Sequence, residues 1–245
     1  MELLPSEFDL RFLGQMNFLI STIVRNRSAH LSKWHSQLKQ TVDSNPQHRF
    51  FLSVFENDSI DYSFDVLKSF DFSFFSGAQI ASEKLNTRFY PSVIDTERVK
   101  LLALYRNRTL ETSFLKNVDY VLSVEPDIKY DIQDVNKIIN NHDYDILSAA
   151  SVHLAGEFYD SWGTRINSDV EKSVLNLDGA IQPVWSTYNC YCKYRANLIK
   201  QGIGFSGFNK RLNKFDCDTA VICENFRSEG SNKIAVDTSV KVYHS

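Results

Sequence analysis

Tyr105 to Asp127 reads YRNRTLETSFLKNVDYVLSVEPD, and its second half decides the fold. A helix bearing Arg106-Asn107 runs through a short loop into the apolar run Tyr120-Val121-Leu122-Ser123-Val124, a buried strand by its β-branched composition. The strand stops on Glu125-Pro126-Asp127, because proline cannot donate to a sheet ladder. In open α/β sheets the crevice outside the carboxyl ends of the strands is where ligands bind. Two carboxylates released at that edge, Glu125 and Asp127, suit a hard divalent cation held against a phosphate. A solvated loop, or Asp127 capping the next helix, is the plainer alternative.

Outward from this strand the chain alternates. Asn17 to Val24 is a β-branched first strand ending in Arg25-Asn26-Arg27-Ser28, and Ser28 is placed to cap a helix through about Ser44. Phe50 to Phe55 is a second strand, followed by a turn-rich loop, Glu56 to Asp61, and a short helix near Phe64 to Leu67. Asp71 to Phe75 reads as a third strand, and Ser76 to Pro91 as a loop that orders over ligand. Asp95 caps the helix before the carboxylate strand, with Val99, Leu102, Ala103, Leu110 and Phe114 as its apolar stripe. A helix over Ile132 to Asn140 and a strand over Asp145 to Val152 follow. The β-α alternation predicts a doubly wound, mostly parallel sheet with helices on both faces. After Val152 the pattern turns irregular and aromatic, with β-like runs at Ala220 to Cys223, Lys233 to Val236 and Ser239 to Tyr243.

The bulk composition narrows the classes. A length of 245 residues, 43% hydrophobic and 23% charged, supports a full core, so one domain with two unequal halves is the simplest plan. A net charge of −3 gives no general pull toward nucleic acid or acidic membrane, so an anionic ligand needs local arginine, lysine or a metal. No apolar run approaches the ~20 residues that span a bilayer. Glu2, Glu7 and Asp9 near the start argue against a secretory signal. Cys190, Cys192, Cys217 and Cys223 fit no common zinc spacing and read as buried free thiols. Three N-x-S/T sites, at Asn26, Asn57 and Asn107, fall in candidate site segments, which favours a cytoplasmic protein over a glycosylated one.

Several side chains carry the candidate chemistry. Arg25 and Asn26 follow the first strand, Glu56 and Asp58 the second, and all four stand where a nucleotide would lie. Glu56 could accept from a base or ribose hydroxyl and Arg25 could reach phosphate, while ordinary turn chemistry is the alternative for Asp58, Ser59 and Asp61. Arg98, near a helix N-terminus, and Arg106 could also meet an anion. Arg106-Asn107 interrupts an apolar face, so at least one of the two is expected to be buried and paired. Tyr159, Asp160, Trp162 and Arg165 form an aromatic and polar cluster suited to a sugar acceptor, with Trp185 further on. Asp216, Asp218 and Glu224 add late carboxylates, and His244, ending an apparent strand, is a candidate third metal ligand.

The order of these pieces resembles the nucleotide-diphospho-sugar half of GT-A glycosyltransferases. More closely, the chain is similar to the cryptococcal mannosyltransferase family, glycosyltransferase family 69. The matching pieces are Val24-Arg25-Asn26, Val54 to Asp61, Asp95 to Arg98, Leu104 to Leu110, Asp119 to Leu122, Phe158 to Trp162, Pro183 to Ser186 and Val240 to Tyr243. The resemblance implies a GT-A-like sheet, with a nucleotide-sugar half over about residues 15–127 and an acceptor half over about 128–245. It implies that Arg106, Asn107, Glu125 and Asp127 hold Mn²⁺ or Mg²⁺ and the donor diphosphate. It further implies retaining α-mannosyl transfer from GDP-mannose to a glycan in polysaccharide biosynthesis, with a UDP-sugar as the other possible donor. The chain departs from the family in having Glu-Pro-Asp at the metal loop in place of Asn-Asp, and Asp218 where a Glu is expected. A counterpart of the fungal members' membrane anchor is not expected, since no apolar run is long enough to span a bilayer.

In this reading the metal and Arg98 or Arg106 stabilise the departing diphosphate. Retaining transfer needs no protein base. For inverting transfer Asp218 is the first choice of base and Asp160 the second. A sugar nucleotidyltransferase would need an early glycine-rich phosphate loop, and none appears among nine glycines. A silent nucleotide- or glycan-binding module is the remaining alternative.

Overall fold

The computed structural model describes residues 14–90 and 92–244, and the acids Glu2, Glu7 and Asp9 lie outside them. The first half follows the alternation: β1 (Asn17–Val24), α1 (Ser28–Asp43), β2 (Arg49–Asn57), α2 (Ser63–Ser69), β3 (Gly77–Glu83), α3 (Thr96–Leu110) and β4 (Tyr120–Val124). Then come β5 (Ile128–Tyr130), α4 (Ile132–Asn140), β6 (Ile146–His153), β7 (Ile181–Pro183) and β8 (Tyr191–Arg195). The last elements are α5 (Ala196–Lys200), β9 (Phe208–Asn209), β10 (Lys214–Phe215), α6 (Asp218–Ser228) and β11 (Ile234–His244).

The main sheet runs β3-β2-β1-β4-β8-β6-β11-β5, with β7 paired to β11. Strands β3, β2, β1 and β4 are parallel neighbours, and β6 is parallel to β11. β8 runs antiparallel between β4 and β6. Both faces are covered, as the sequence predicts. Alternation along β1 sends Phe18 and Ile20 into one core layer with Leu31, Trp34 and Val135 from α1 and α4. Leu19 turns to the other layer, against Ala103, Ile222 and Phe226 from α3 and α6.

Four expectations change. The third strand is Gly77–Glu83 and not Asp71 to Phe75. In the latter segment Asp71 accepts from the Ser73 backbone N–H (2.8 Å) and forms a turn, while Phe70, Phe72 and Phe74 surround His35. Ala220 to Cys223 belongs to α6; its short apolar run marks burial rather than strand, because Thr219 to Glu224 are buried all round the helix. Lys233 to Val236 and Ser239 to Tyr243 are one strand, β11, broken in register between Asp237 and Lys241. Ser28 is the first helical residue and not the cap; its N–H is met from a distance by Asp61 Oδ2 (3.0 Å). Asp95 does cap α3, accepting from Glu97 and Arg98. All four cysteines are free and buried.

Candidate active site

Parallel order puts the ends of β1, β2, β4, β6 and β11 on one edge of the sheet, and antiparallel β8 begins there. Glu125 and Asp127 after β4, His244 at the end of β11 and Tyr188-Asn189-Cys190 before β8 therefore converge. Glu125, Asp127, His244, Tyr188 and Cys190 line a cavity of about 540 Å³ together with Arg25, Asn26, Arg27, Arg98, Arg106, Tyr159, Asp160, Trp162 and Asp218.

Arg106 is the hub. It is buried at 7% exposure, and its Nε donates to Asp218 Oδ2 (2.9 Å), Nη1 to the Tyr188 hydroxyl (2.5 Å) and Nη2 to Glu125 Oε1 (2.9 Å). The Tyr188 hydroxyl in turn donates to Glu125 Oε1 (2.6 Å), and its ring lies 4.3 Å from the guanidinium carbon. Burial works to lower the Arg106 pKa, but Tyr188, Glu125 and Asp218 hold it well above the ordinary value. Burial also pushes the Tyr188 phenol well up, so it remains a donor. The expectation that one of Arg106-Asn107 is buried and paired holds for Arg106, and the guanidinium grips two carboxylates of the cavity.

Asp127 is buried and sits 2.9 Å from Arg27 Nε and 3.6 Å from His244 Nε2. His244 stacks on Tyr159, with ring centroids 4.0 Å apart. Asp160 accepts from the backbone N–H groups of Asn189 (2.8 Å) and Gly163 (3.1 Å). Burial pushes its carboxyl up to about 6, against those donors and the Arg106 charge. Asp218, at the first turn of α6, is also shifted up by burial and opposed by Arg106. A carboxyl near 6 is poised to exchange a proton at neutral pH.

Other expected site residues stand elsewhere. Glu56 is turned to the Ser59 N–H (3.0 Å) and the Ser82 hydroxyl (2.5 Å), and Asp58 accepts from Asn86 and Thr87, so both serve loop structure. Asn107 braces the Phe205 backbone, accepting its N–H and donating to its carbonyl, and does not line the cavity. Arg165 is buried in a fork on Asp216 (2.9 and 2.6 Å). Trp185 lines a separate cavity, donating to Glu224 (2.8 Å). Arg25 reaches the cavity but spends its guanidinium on Thr87. Sequence reasoning missed Tyr188, Arg27 and the β8 approach; a tyrosine before an unrecognised antiparallel strand gives no local signal.

Among the described residues no three or more His, Cys, Asp or Glu side chains gather as a metal cage. Glu125 Oε1 is shared between Arg106 and Tyr188. Asp127 and His244 remain neighbours in the cavity. Hard cations are often held by one or two side chains plus substrate phosphates, so that pair fits a donor-completed site and not a preformed one.

Residues 17–196 match the family described as Cryptococcal mannosyltransferase 1. The chain belongs to that family. No protein with a curated description matches the family member in sequence. Its fold is that of GT-A glycosyltransferases. TarS residues 1–349 from S. aureus superposes with TM-score 0.56 at 15% identity, over 94% of this chain and 60% of that one. The same protein with UDP-GlcNAc gives 0.54 at 16% identity, over 93% and 58%. The mannosyltransferase PcManGT from Pyrobaculum calidifontis, in complex with GDP-Man and Mn²⁺, gives 0.56 at 11%, over 94% and 56%. The chain thus spans about 60% or less of the length of these solved relatives.

Proposed function

We propose that the protein is a metal-dependent glycosyltransferase that moves a sugar, mannose by preference, from a nucleoside-diphosphate donor to a glycan. One observation carries the reading: Arg106, Glu125, Asp218, Asp127 and His244 meet in one cavity at the carboxyl edge of a GT-A sheet. Family membership and neighbours solved with UDP-GlcNAc and with GDP-Man and Mn²⁺ support a nucleotide-sugar donor.

The nucleoside would lie over the ends of β1 and β2, near Asn26 and Asn57. Asp127 and His244 are the residues that would hold Mn²⁺ or Mg²⁺, which when bound supplies positive charge against the donor diphosphate. Arg27 and Arg98 line the same cavity and add charge against the leaving group. Arg106 is committed to Glu125 and Asp218, so it acts by fixing those carboxylates. In retaining transfer a leaving phosphate oxygen takes the acceptor proton. In inverting transfer Asp160 is the stronger proton acceptor, because its carboxyl titrates near 6 while Asp218 is bound to Arg106. Tyr159 and Trp162 offer ring surface to the acceptor.

The test is a screen of GDP- and UDP-sugars with Mn²⁺ for donor hydrolysis and transfer, wild type against Asp127→Asn. Asp127→Asn should lose roughly 100-fold in turnover and its response to Mn²⁺. Unchanged hydrolysis and metal response would defeat the metal assignment, and tight donor binding without turnover of any donor would make the protein a binding module.

A further inference from the structure

Arg27 stands against Asp127 where a cation would. A buried carboxylate such as Asp127 is costly without a positive partner, and Arg27 Nε provides one at 2.9 Å. The oxygen it meets is Oδ2, the same oxygen that lies 3.6 Å from His244 Nε2. Arg27 thus holds the oxygen through which Asp127 faces His244. A guanidinium and a divalent ion repel each other at such range, so the two compete for Asp127.

The backbone of Arg27 is pinned while its side chain can turn. Its N–H donates to the Ser63 hydroxyl (2.7 Å), and its carbonyl accepts from the His30 N–H (2.8 Å). Asn26 before it takes a left-handed φ of 53°, with its own N–H on Ser59 Oγ (3.0 Å). Beyond this anchor the Arg27 side chain is 42% exposed and lines the cavity, while that of Asp127 is 6% exposed. Among the described residues the other contact of the guanidinium is a long bond to the Asn26 carbonyl (3.3 Å). An ion pair open to water at its arginine end is weakly held. Arg106 and Arg25 lack this freedom, the first bound to Glu125, Tyr188 and Asp218 and the second to Thr87.

We infer that Arg27 is an exchangeable counterion that couples the metal to the donor. In the donor-free protein it holds Asp127 against the cation. An arriving diphosphate draws the guanidinium onto its own oxygens, for which the planar fork is suited, and leaves Asp127 and His244 to the metal. By linkage, the factor by which the diphosphate tightens the metal is the factor by which the metal tightens the diphosphate. This role rests on the transferase reading of the same cavity, and its test needs no turnover.

The experiment titrates the full chain with Mn²⁺ alone, reading free Mn²⁺ by electron paramagnetic resonance. Separate calorimetric titrations use GDP and UDP in the presence of a metal chelator. Arg27→Gln should bind Mn²⁺ alone roughly tenfold tighter than wild type, and bind the metal-free nucleotide roughly tenfold more weakly. Arg27→Lys keeps the charge and should restore most of the wild-type balance. Asp127→Asn in the Arg27→Gln background should abolish the gain in metal affinity. These opposite signs separate the exchange from a structural role, since a misfolded or loosened variant gains affinity for neither ligand. The exchange is excluded if Arg27→Gln binds Mn²⁺ no tighter than wild type, if metal-free nucleotide binding does not weaken, or if the gain survives Asp127→Asn. Mn²⁺ binding to wild type with nucleotide present would then leave the metal assignment standing. Absence of Mn²⁺ binding from wild type and every variant, with or without nucleotide, would remove the exchange and the metal assignment together.

Discussion

Tyr188 shows how much a single hydroxyl can organise. It accepts from Arg106, donates to Glu125 and lies 3.2 Å from the Ser123 hydroxyl, all within a buried setting. Removing it leaves the ring under the guanidinium while Glu125 Oε1 keeps one donor in place of two. Tyr188→Phe should therefore lower kcat by about 10- to 100-fold with little change in donor KM, and cost about 1–3 kcal/mol in a urea melt. In a Glu125→Gln background the same substitution should add little to the kinetic loss, because the two groups act as one unit. Additive losses in the double variant would show that the hydroxyl serves packing alone. Nothing in the sequence near Asn189-Cys190 flags this tyrosine. Arg106, by contrast, is legible as a guanidinium interrupting an apolar helix face, although its partners are not.

At the scale of the element, the loop after β6 carries Asp160 into the cavity and turns back at Gly163. A Cβ on Gly163 would stand 2.7 and 2.8 Å from the two Asp160 carboxylate oxygens, closer than van der Waals contact allows. Gly163→Ala should displace that carboxylate from the N–H groups of Asn189 and Gly163, which oppose the upward push of burial. The acidic limb of the pH–rate profile, expected near 6 in wild type, should then move to higher pH, with about 1–3 kcal/mol lost in stability. A variant with the wild-type limb would remove Asp160 from the chemistry. The elements themselves were readable where apolar periodicity was long, as in β1, α1, β4 and α4. They were not readable where a short run carried two meanings. Ala220 to Cys223 is apolar because α6 is wrapped by protein, and Asp71 to Phe75 alternates because its phenylalanines cluster around a turn.

For the molecule as a whole, β8 is the strand on which the two halves of the sheet depend, since it bridges β4 and β6. It carries Lys193, which is 1% exposed and donates to the Ile139 (3.2 Å) and Asn141 carbonyls at the end of α4. Desolvation pushes this ammonium down to about 7, with the Arg195 charge acting in the same direction. The folded state thus binds fewer protons than the unfolded chain between about pH 7 and the ordinary lysine value. Stability from this residue rises with pH across that window and is lower on its acid side. Relative to Lys193→Met, wild type should gain about 1.4 kcal/mol per pH unit between roughly pH 7 and 10 in urea melts. A flat difference would mean that Lys193 stays charged in the fold.

By itself the sequence determined the α/β class, the parallel first half, the family and the cavity edge. Those follow from apolar runs, caps and proline stops that act over a few residues. It also named Arg106, Asp127, Asp160, Asp218 and His244, five side chains that the structure brings to one cavity. Only the tertiary structure decided their partners. Whether Glu125 faces solvent or a buried Arg106–Tyr188 pair depends on β8 entering antiparallel, and whether Glu56 meets a ligand or Ser82 depends on β3 lying beside β2. Such contacts join residues far apart in the chain, where no local pattern of hydrophobicity or spacing can specify which hydrogen bond a side chain makes.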